Sequence, residues 1–163
     1  MPNWCANSLI ISADRKKLKE LNAKLDECQG KNFFDIFVPN SDQAGRGDDW
    51  YAYNQETYGC KWNCDASDWE LISVNELRIT FDSPWSPPID LYDKIIEGDL
   101  SVSAEYFEPG MAFVGSYNNG EEWLYEYGQY DSLDELYEEV PAELIENWGI
   151  DQMFLDRLEE ENE

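Results

Sequence analysis

The chain contains no histidine. The one side chain whose ordinary pKa lies near neutrality is therefore missing, and with it the commonest general base and the commonest metal ligand. Cations are scarce too: 11 Lys and Arg stand against 36 Asp and Glu, a formal net charge of −25. A surface so biased repels nucleic acid and anionic membranes, so neither is expected as a direct partner. No apolar run approaches the ~20 residues of a membrane helix. The N-terminus has neither the basic segment nor the apolar stretch of a signal peptide, which leads us to expect a soluble, cytoplasmic protein. We find no nucleophile elbow, phosphate loop or nucleotide fingerprint. No catalytic residue and no cofactor is assigned from the sequence.

Cysteine is present but not in a metal-binding arrangement. Cys5 and Cys28 are far apart, and Cys60 and Cys64 have three residues between them. The latter spacing suits half of a zinc site, but no second pair completes it. Free thiols are the expectation, although a site built from all four cysteines would be chemically sensible. The acidic pairs Asp48-Asp49 and Asp65/Asp68 match no cation-loop spacing and are what 36 acids produce by chance.

What is there can fold. Hydrophobic residues make up 42% of the chain and aromatics 15%, enough for a packed core. Alternation at Ser8–Ser12 reads as a strand. Ser12 or Asp14 can cap a helix that carries Leu18, Leu21, Leu25 and Cys28 and stops at Gly30. Residues 33–38, Phe-Phe-Asp-Ile-Phe-Val, read as a second strand ended by Pro39. A polar loop, 41–49, leads into an aromatic cluster of Trp50, Tyr51, Tyr53, Tyr58, Trp62 and Trp69. Residues 71–81 read as a hairpin or one long bulged strand around Asn75-Glu76. Ser86-Pro87-Pro88 opens a helix with Ile89, Tyr92, Ile95 and Ile96, and residues 100–107 read as a strand. Asn118-Asn119-Gly120 is a hairpin turn between Met111–Tyr117 and Glu121–Tyr127. Ser132-Leu133-Asp134-Glu135 is a capping box, followed by three amphipathic segments to Leu158. The order β-α-β-β-α-β predicts an α+β fold: a ferredoxin-like split βαβ sheet, extended by a β-hairpin, with acidic C-terminal helices. We divide the chain into a domain over 1–128 and an acidic helical extension over 129–163 packed on it.

The charge is graded along the chain. Residues 1–31 carry a net +2, residues 32–96 a net −8, and residues 97–163 set Arg157 against twenty acids, a net −19. B-DNA carries one negative charge per ~1.7 Å, so on one face that charge would imitate about ten base pairs. The candidate partner-binding residues are Glu135, Glu138, Glu139, Glu143, Glu146, Asp151, Asp156, Glu159 and Glu160. Aromatics beside them, namely Trp123, Tyr125, Tyr127, Tyr130 and Tyr137, suit a protein interface. The plainer alternative is a solvated face that keeps the protein soluble.

Several blocks carry a family likeness. The opening Met1-Pro2-Asn3-Trp4-Cys5-Ala6-Asn7-Ser8-Leu9 is the first. Asn54 through Tyr58-Gly59-Cys60-Lys61-Trp62-Asn63 is the second, and Thr80-Phe81-Asp82-Ser83-Pro84-Trp85-Ser86-Pro87-Pro88 the third. Tyr106, Glu108, Gly110, Phe113 and Gly115 form the fourth. Together they resemble the YubB-like family of bacterial plasmids and phages over roughly residues 1–127. Cys60 departs from the family's usual Thr, and Pro84 from its Ala. The resemblance implies a ferredoxin-like domain in a mobile element and carries over no catalytic residues. With the charge, it leads us to expect a non-enzymatic protein, monomer or homodimer. Its acidic surface would bind and inhibit a host nucleic-acid-binding or defence protein in the manner of a DNA mimic. The alternative is a small-ligand-binding or metal-dependent enzyme. Its site would be Tyr58, Lys61, Trp62 and Trp85, with Lys61 as a cation for an anionic ligand in an aromatic-walled pocket.

Overall fold

The computed structural model describes residues 2–38 and 49–161. The loop 41–48, Pro39 and the Asp48 of one acidic pair lie outside the described residues. Strand β1 (Trp4–Ser12) alternates, burying Cys5, Asn7, Leu9 and Ile11. Helix α1 (Arg15–Cys28) is capped by Asp14, whose Oδ1 accepts from the Lys17 N–H at 2.8 Å. It buries Leu18, Leu21 and Leu25 and ends where Gln29 and Gly30 turn left-handed. Helix α2 (Trp50–Tyr58) ends on Gly59, whose φ of +85° suits only glycine well. Strands β2 (Ala66–Ser73) and β3 (Glu76–Pro84) form a hairpin. Helix α3 (Ile89–Glu97) then buries Leu91, Tyr92 and Ile95. Strand β4 (Ser101–Glu108) is followed by the hairpin of β5 (Phe113–Asn118) and β6 (Glu121–Glu126).

The six strands lie in the order β2-β3-β1-β4-β5-β6, and each neighbouring pair is antiparallel. With α1 and α3, strands β1 to β4 reproduce the split βαβ order, so the fold is α+β and ferredoxin-like. The hairpin β5–β6 extends the sheet at the β4 side.

Phe33–Ile36 is a 3₁₀ turn and not a strand. The reason is packing. A strand sends consecutive side chains to opposite faces, yet Phe33 and Phe34 are both fully buried in one core, edge-on to each other and to Phe81. A helical turn lets adjacent aromatics converge there. The second strand is Ala66–Ser73, with residues 71–73 of the predicted hairpin as its end. It is an edge strand, largely exposed, and lacks the alternation that would have announced it.

Alternation along β4 divides the hydrophobic interior. Val102 and Ala104 face α1 and α3 and join the main core with Tyr58, Tyr92 and Tyr117. Phe107 and, beside it, Val114 face the other way. That second face is covered by α4 (Leu133–Glu139), α5 (Ala142–Trp148) and α6 (Ile150–Glu161) through Leu136, Val140, Leu144, Ile145, Ile150 and Phe154. Residues 129–161 therefore share a core with the sheet. Ser132 caps α4 as read from sequence, its Oγ accepting from the Glu135 N–H at 3.2 Å. No described helix is long and apolar enough to cross a membrane.

Candidate functional site: an acidic helical face and an aromatic sheet end

Helices α4 to α6 turn their apolar stripe to the sheet, so their acids point outward. Glu138, Glu139, Glu143, Glu146, Asp156, Glu159 and Glu160 are exposed. The other two are half-buried and used locally: Glu135 Oε2 accepts from the Asp131 N–H at 3.0 Å, and Asp151 Oδ2 accepts from the Tyr137 hydroxyl at 3.3 Å. Of the aromatics expected beside them, Trp123 and Tyr137 are exposed and Tyr125 and Tyr130 half-buried. Tyr127 is instead buried, stacked on Phe107 at 6.4 Å.

Arg157, the one cation after residue 96, does little to neutralise this face. Its two terminal nitrogens donate to the Gly128 and Tyr130 carbonyls, each at 2.9 Å. Its guanidinium lies 4.6 Å from the Phe154 ring centre. Its ion pair with Glu161 is long, at 3.8 Å. The charge is spent on holding α6 to the chain before α4.

The four blocks of the family likeness meet at one end of the sheet. Asn7 is buried and its Nδ2 donates to Cys5 O, Phe81 O and Ser83 Oγ. Ser83 Oγ donates to Ser86 O at 2.7 Å, and Ser86 Oγ to Gly59 O at 3.0 Å. The Trp85 N–H reaches Asn3 O at 2.8 Å, with Trp85 held at φ +68°. A Cβ on Gly110 would fall 2.8 Å from Asn3 Nδ2. These residues form one polar brace between β1, β3 and the ends of α2 and α3.

The proposed ligand loop is only partly assembled. Tyr58 points into the core, edge-on to Phe34 at 5.0 Å. Lys61 sits 5.4 Å from the Trp62 ring centre, and Trp62 is edge-on to Trp4 at 6.0 Å. Trp62 lines a cleft of about 410 Å³ with Trp4, Asn63, Cys64, Asp65 and Asp82. Its walls carry carboxylates where an anionic ligand would need cations, and Trp85, about half exposed, is not among them.

All four cysteines are free thiols. Cys60 and Cys64 both donate to Trp62 O, at 3.4 and 3.5 Å, and the contact with Cys60 followed by burial pushes the Cys64 thiol far above its ordinary range. Among the described residues no group of three or more Cys, Asp or Glu is placed to hold a metal ion.

Burial has a measurable consequence at high pH. It is the first cause, and Glu108 the second, that pushes the Cys5 thiol from 9.0 up to about 12 and the Tyr127 hydroxyl from 10.0 up to about 12. Each group holds its proton more tightly folded than unfolded. Their stabilisation is therefore complete below the unfolded values and lost as pH rises through the folded ones. The urea midpoint is expected to fall between pH 9 and 12, and Cys5→Ser and Tyr127→Phe should each flatten part of that fall. A wild-type midpoint unchanged over that range would contradict the assignment.

No protein-family model and no curated protein matches the chain. A solved structure does: the crystal structure of a protein api92 from Yersinia pseudotuberculosis, of family DUF1281. It has 27% identity, a TM-score of 0.37, and coverage of 50% of this chain and 31% of that one. The chain thus spans less than a third of that protein's length.

Proposed function

We propose that this is a non-enzymatic interaction protein of the YubB-like kind, carried by a phage or plasmid. The acidic face of α4–α6 binds a host protein that otherwise holds nucleic acid and blocks it as a DNA mimic. A defence complex is the natural target class. The observation that carries the reading is the pairing of outward acids with a sequestered cation. Seven of the nine candidate carboxylates are exposed, and Arg157 is committed to backbone carbonyls. Such an uncompensated face attracts a basic cleft over distance, quickly at low salt and weakly at high salt.

The test is capture from a bacterial lysate at low salt with two baits: the native chain, and a variant with Glu138, Glu139, Glu143, Glu146, Glu159 and Glu160 all changed to Gln. The partner should elute as salt rises, be displaced by duplex DNA, and bind the variant at least tenfold more weakly. Capture that ignores salt and DNA, or that the Gln variant retains, would sink the reading. The cleft beside Trp62 favours a second reading, a small-ligand site. Its Asp65 and Asp82 walls point to a cationic or neutral ligand.

A further inference from the structure

The open edge of the sheet beyond β5 offers a second surface: Trp123 shares a cleft with Glu143 of α5, whereas the cleft lined by Glu122, Leu124 and Glu126 contains no residue of α4–α6. Strand β6 is the last in the sheet, and among the described residues it is paired to β5 alone. Its two-residue turn has Asn119 at φ +45° and Gly120 at +103°, as a tight hairpin requires. Asn118 and Glu121 then form the hydrogen-bonded closing pair. By alternation, Glu122, Leu124 and Glu126 turn their N–H and C=O groups away from β5. An edge of this kind is a template for another strand.

The side chains of the same three residues line a cleft of about 300 Å³, closed by Asp90 at the start of α3 and by Tyr106 and Phe113. Burial, followed by the nearby Asp93, raises the Asp90 carboxyl above its ordinary range, against the pull of Lys94. Glu122 Oε2 accepts from the Tyr106 hydroxyl at 2.8 Å, which fixes that carboxylate at the rim. Leu124, 53% exposed, lies between Glu122 and Glu126 on this face, and Trp123, 42% exposed, is on the other. Apolar surface and unmet backbone groups thus coincide with one sign of charge.

A second copy of the chain fits this edge poorly. Antiparallel self-pairing through the outward groups, centred on Leu124, sets Glu122 opposite Glu126 twice, and like charges directly opposed are unfavourable. The complementary occupant is cationic. We propose that the free edge of β6 docks an extended cationic segment of a partner protein, added to the sheet as a further strand. The segment's cleft-side positions read basic, apolar, basic opposite Glu122, Leu124 and Glu126. This is strand addition, with backbone bonds supplying affinity and alternate side chains supplying specificity.

The probe is a synthetic peptide, acetyl-Thr-Lys-Thr-Val-Thr-Lys-Thr-amide. Controls are a scrambled version and one with Glu for Lys. The Lys peptide should bind and slow hydrogen exchange at the amides of Glu122, Leu124 and Glu126. Leu124→Pro removes an outward N–H, which an edge strand tolerates; it should weaken binding at least tenfold with the fold intact by circular dichroism. Glu122→Gln with Glu126→Gln should do likewise, and decides the matter if the proline variant does not fold. Absent binding, equal binding of the scrambled peptide, or binding without protection in β6 would overturn the proposal. So would protection of β6 by self-association of the chain alone. The Gln variant of α4–α6 should bind the peptide as well as the native chain does, so the two readings fail separately.

Discussion

Gly115→Ala is expected to destabilise the protein by about 3 kcal/mol, the upper end for overpacking a well-filled site. For a chain of this length that lowers Tm by roughly 6–12 °C. A Cβ at this position would collide with the hydroxyl end of the Tyr106 ring and lie 2.5 Å from the Trp123 carbonyl. Neither neighbour can give way cheaply. Tyr106 is buried, edge-on to Phe113 at 6.1 Å, and its hydroxyl is tied to Glu122. The Trp123 carbonyl is backbone on the adjoining strand, so moving it opens the β5–β6 pairing. A double-mutant cycle separates the two contacts. Tyr106→Ala should recover part of the loss at Gly115→Ala, because one neighbour is gone while Trp123 O remains. A single-variant cost below about 0.5 kcal/mol, within the range of ordinary surface changes, would show that the strand shifts freely.

The same packing explains what could be read ahead of the structure. The turn at Asn119-Gly120 was legible because two successive positive φ values demand those residue types. The caps at Asp14 and Ser132 were legible because a helix start needs a side-chain acceptor at a fixed offset. The order of the split βαβ unit was legible, but its second strand was placed at Phe33–Val38. Residues rich in aromatics have strand propensity wherever they sit, and only the three-dimensional core decides that Phe33 and Phe34 point the same way. The true strand, Ala66–Ser73, is an exposed edge with little alternation to detect. Helix α2 was hidden in the aromatic cluster for a related reason: its apolar residues do not form a stripe.

The candidate site divides in the same way. The outward acids of α4–α6 were legible from amphipathic spacing, because a helix that must bury Leu136, Leu144 and Phe154 has to expose what lies opposite. Glu135 and Asp151 sit nearer the apolar stripe and are half-buried for that reason. Tyr127, expected at the interface, is buried because the sheet has a second covered face, which strand alternation alone does not announce. The brace from Asn7 through Ser83 and Ser86 to Gly59 joins residues far apart in sequence, and such polar pairs leave no periodic trace. The cleft beside β6 is likewise assembled from α3, β4, β5 and β6 and exists only once they pack.

Arg157→Ala is expected to cost about 3 kcal/mol, although it removes a charge that the acidic surroundings would be thought to need only for balance. Hydrogen bonds to a charged group contribute ~1.5–3 kcal/mol each, and a cation over an aromatic face ~0.5–2. Arg157 makes two of the former, to Gly128 and Tyr130, and one of the latter, to Phe154. Truncation leaves both carbonyls without their donors, while the adjoining cleft of about 260 Å³ lets water recover part of the loss. Geometry should matter more than charge. Arg157→Lys keeps the charge but loses the planar fork that spans two carbonyls, so it should recover less than half of the stability. Glu161→Gln should change stability by less than about 0.5 kcal/mol, because that ion pair is exposed and long. Added salt should leave the Arg157→Ala cost largely intact, since short, partly buried contacts escape screening that reaches only exposed charges. If Lys restored full stability, or if salt abolished the cost, Arg157 would be acting as a diffuse counter-charge. The acidic face would then be partly neutralised from within and would not stand uncompensated.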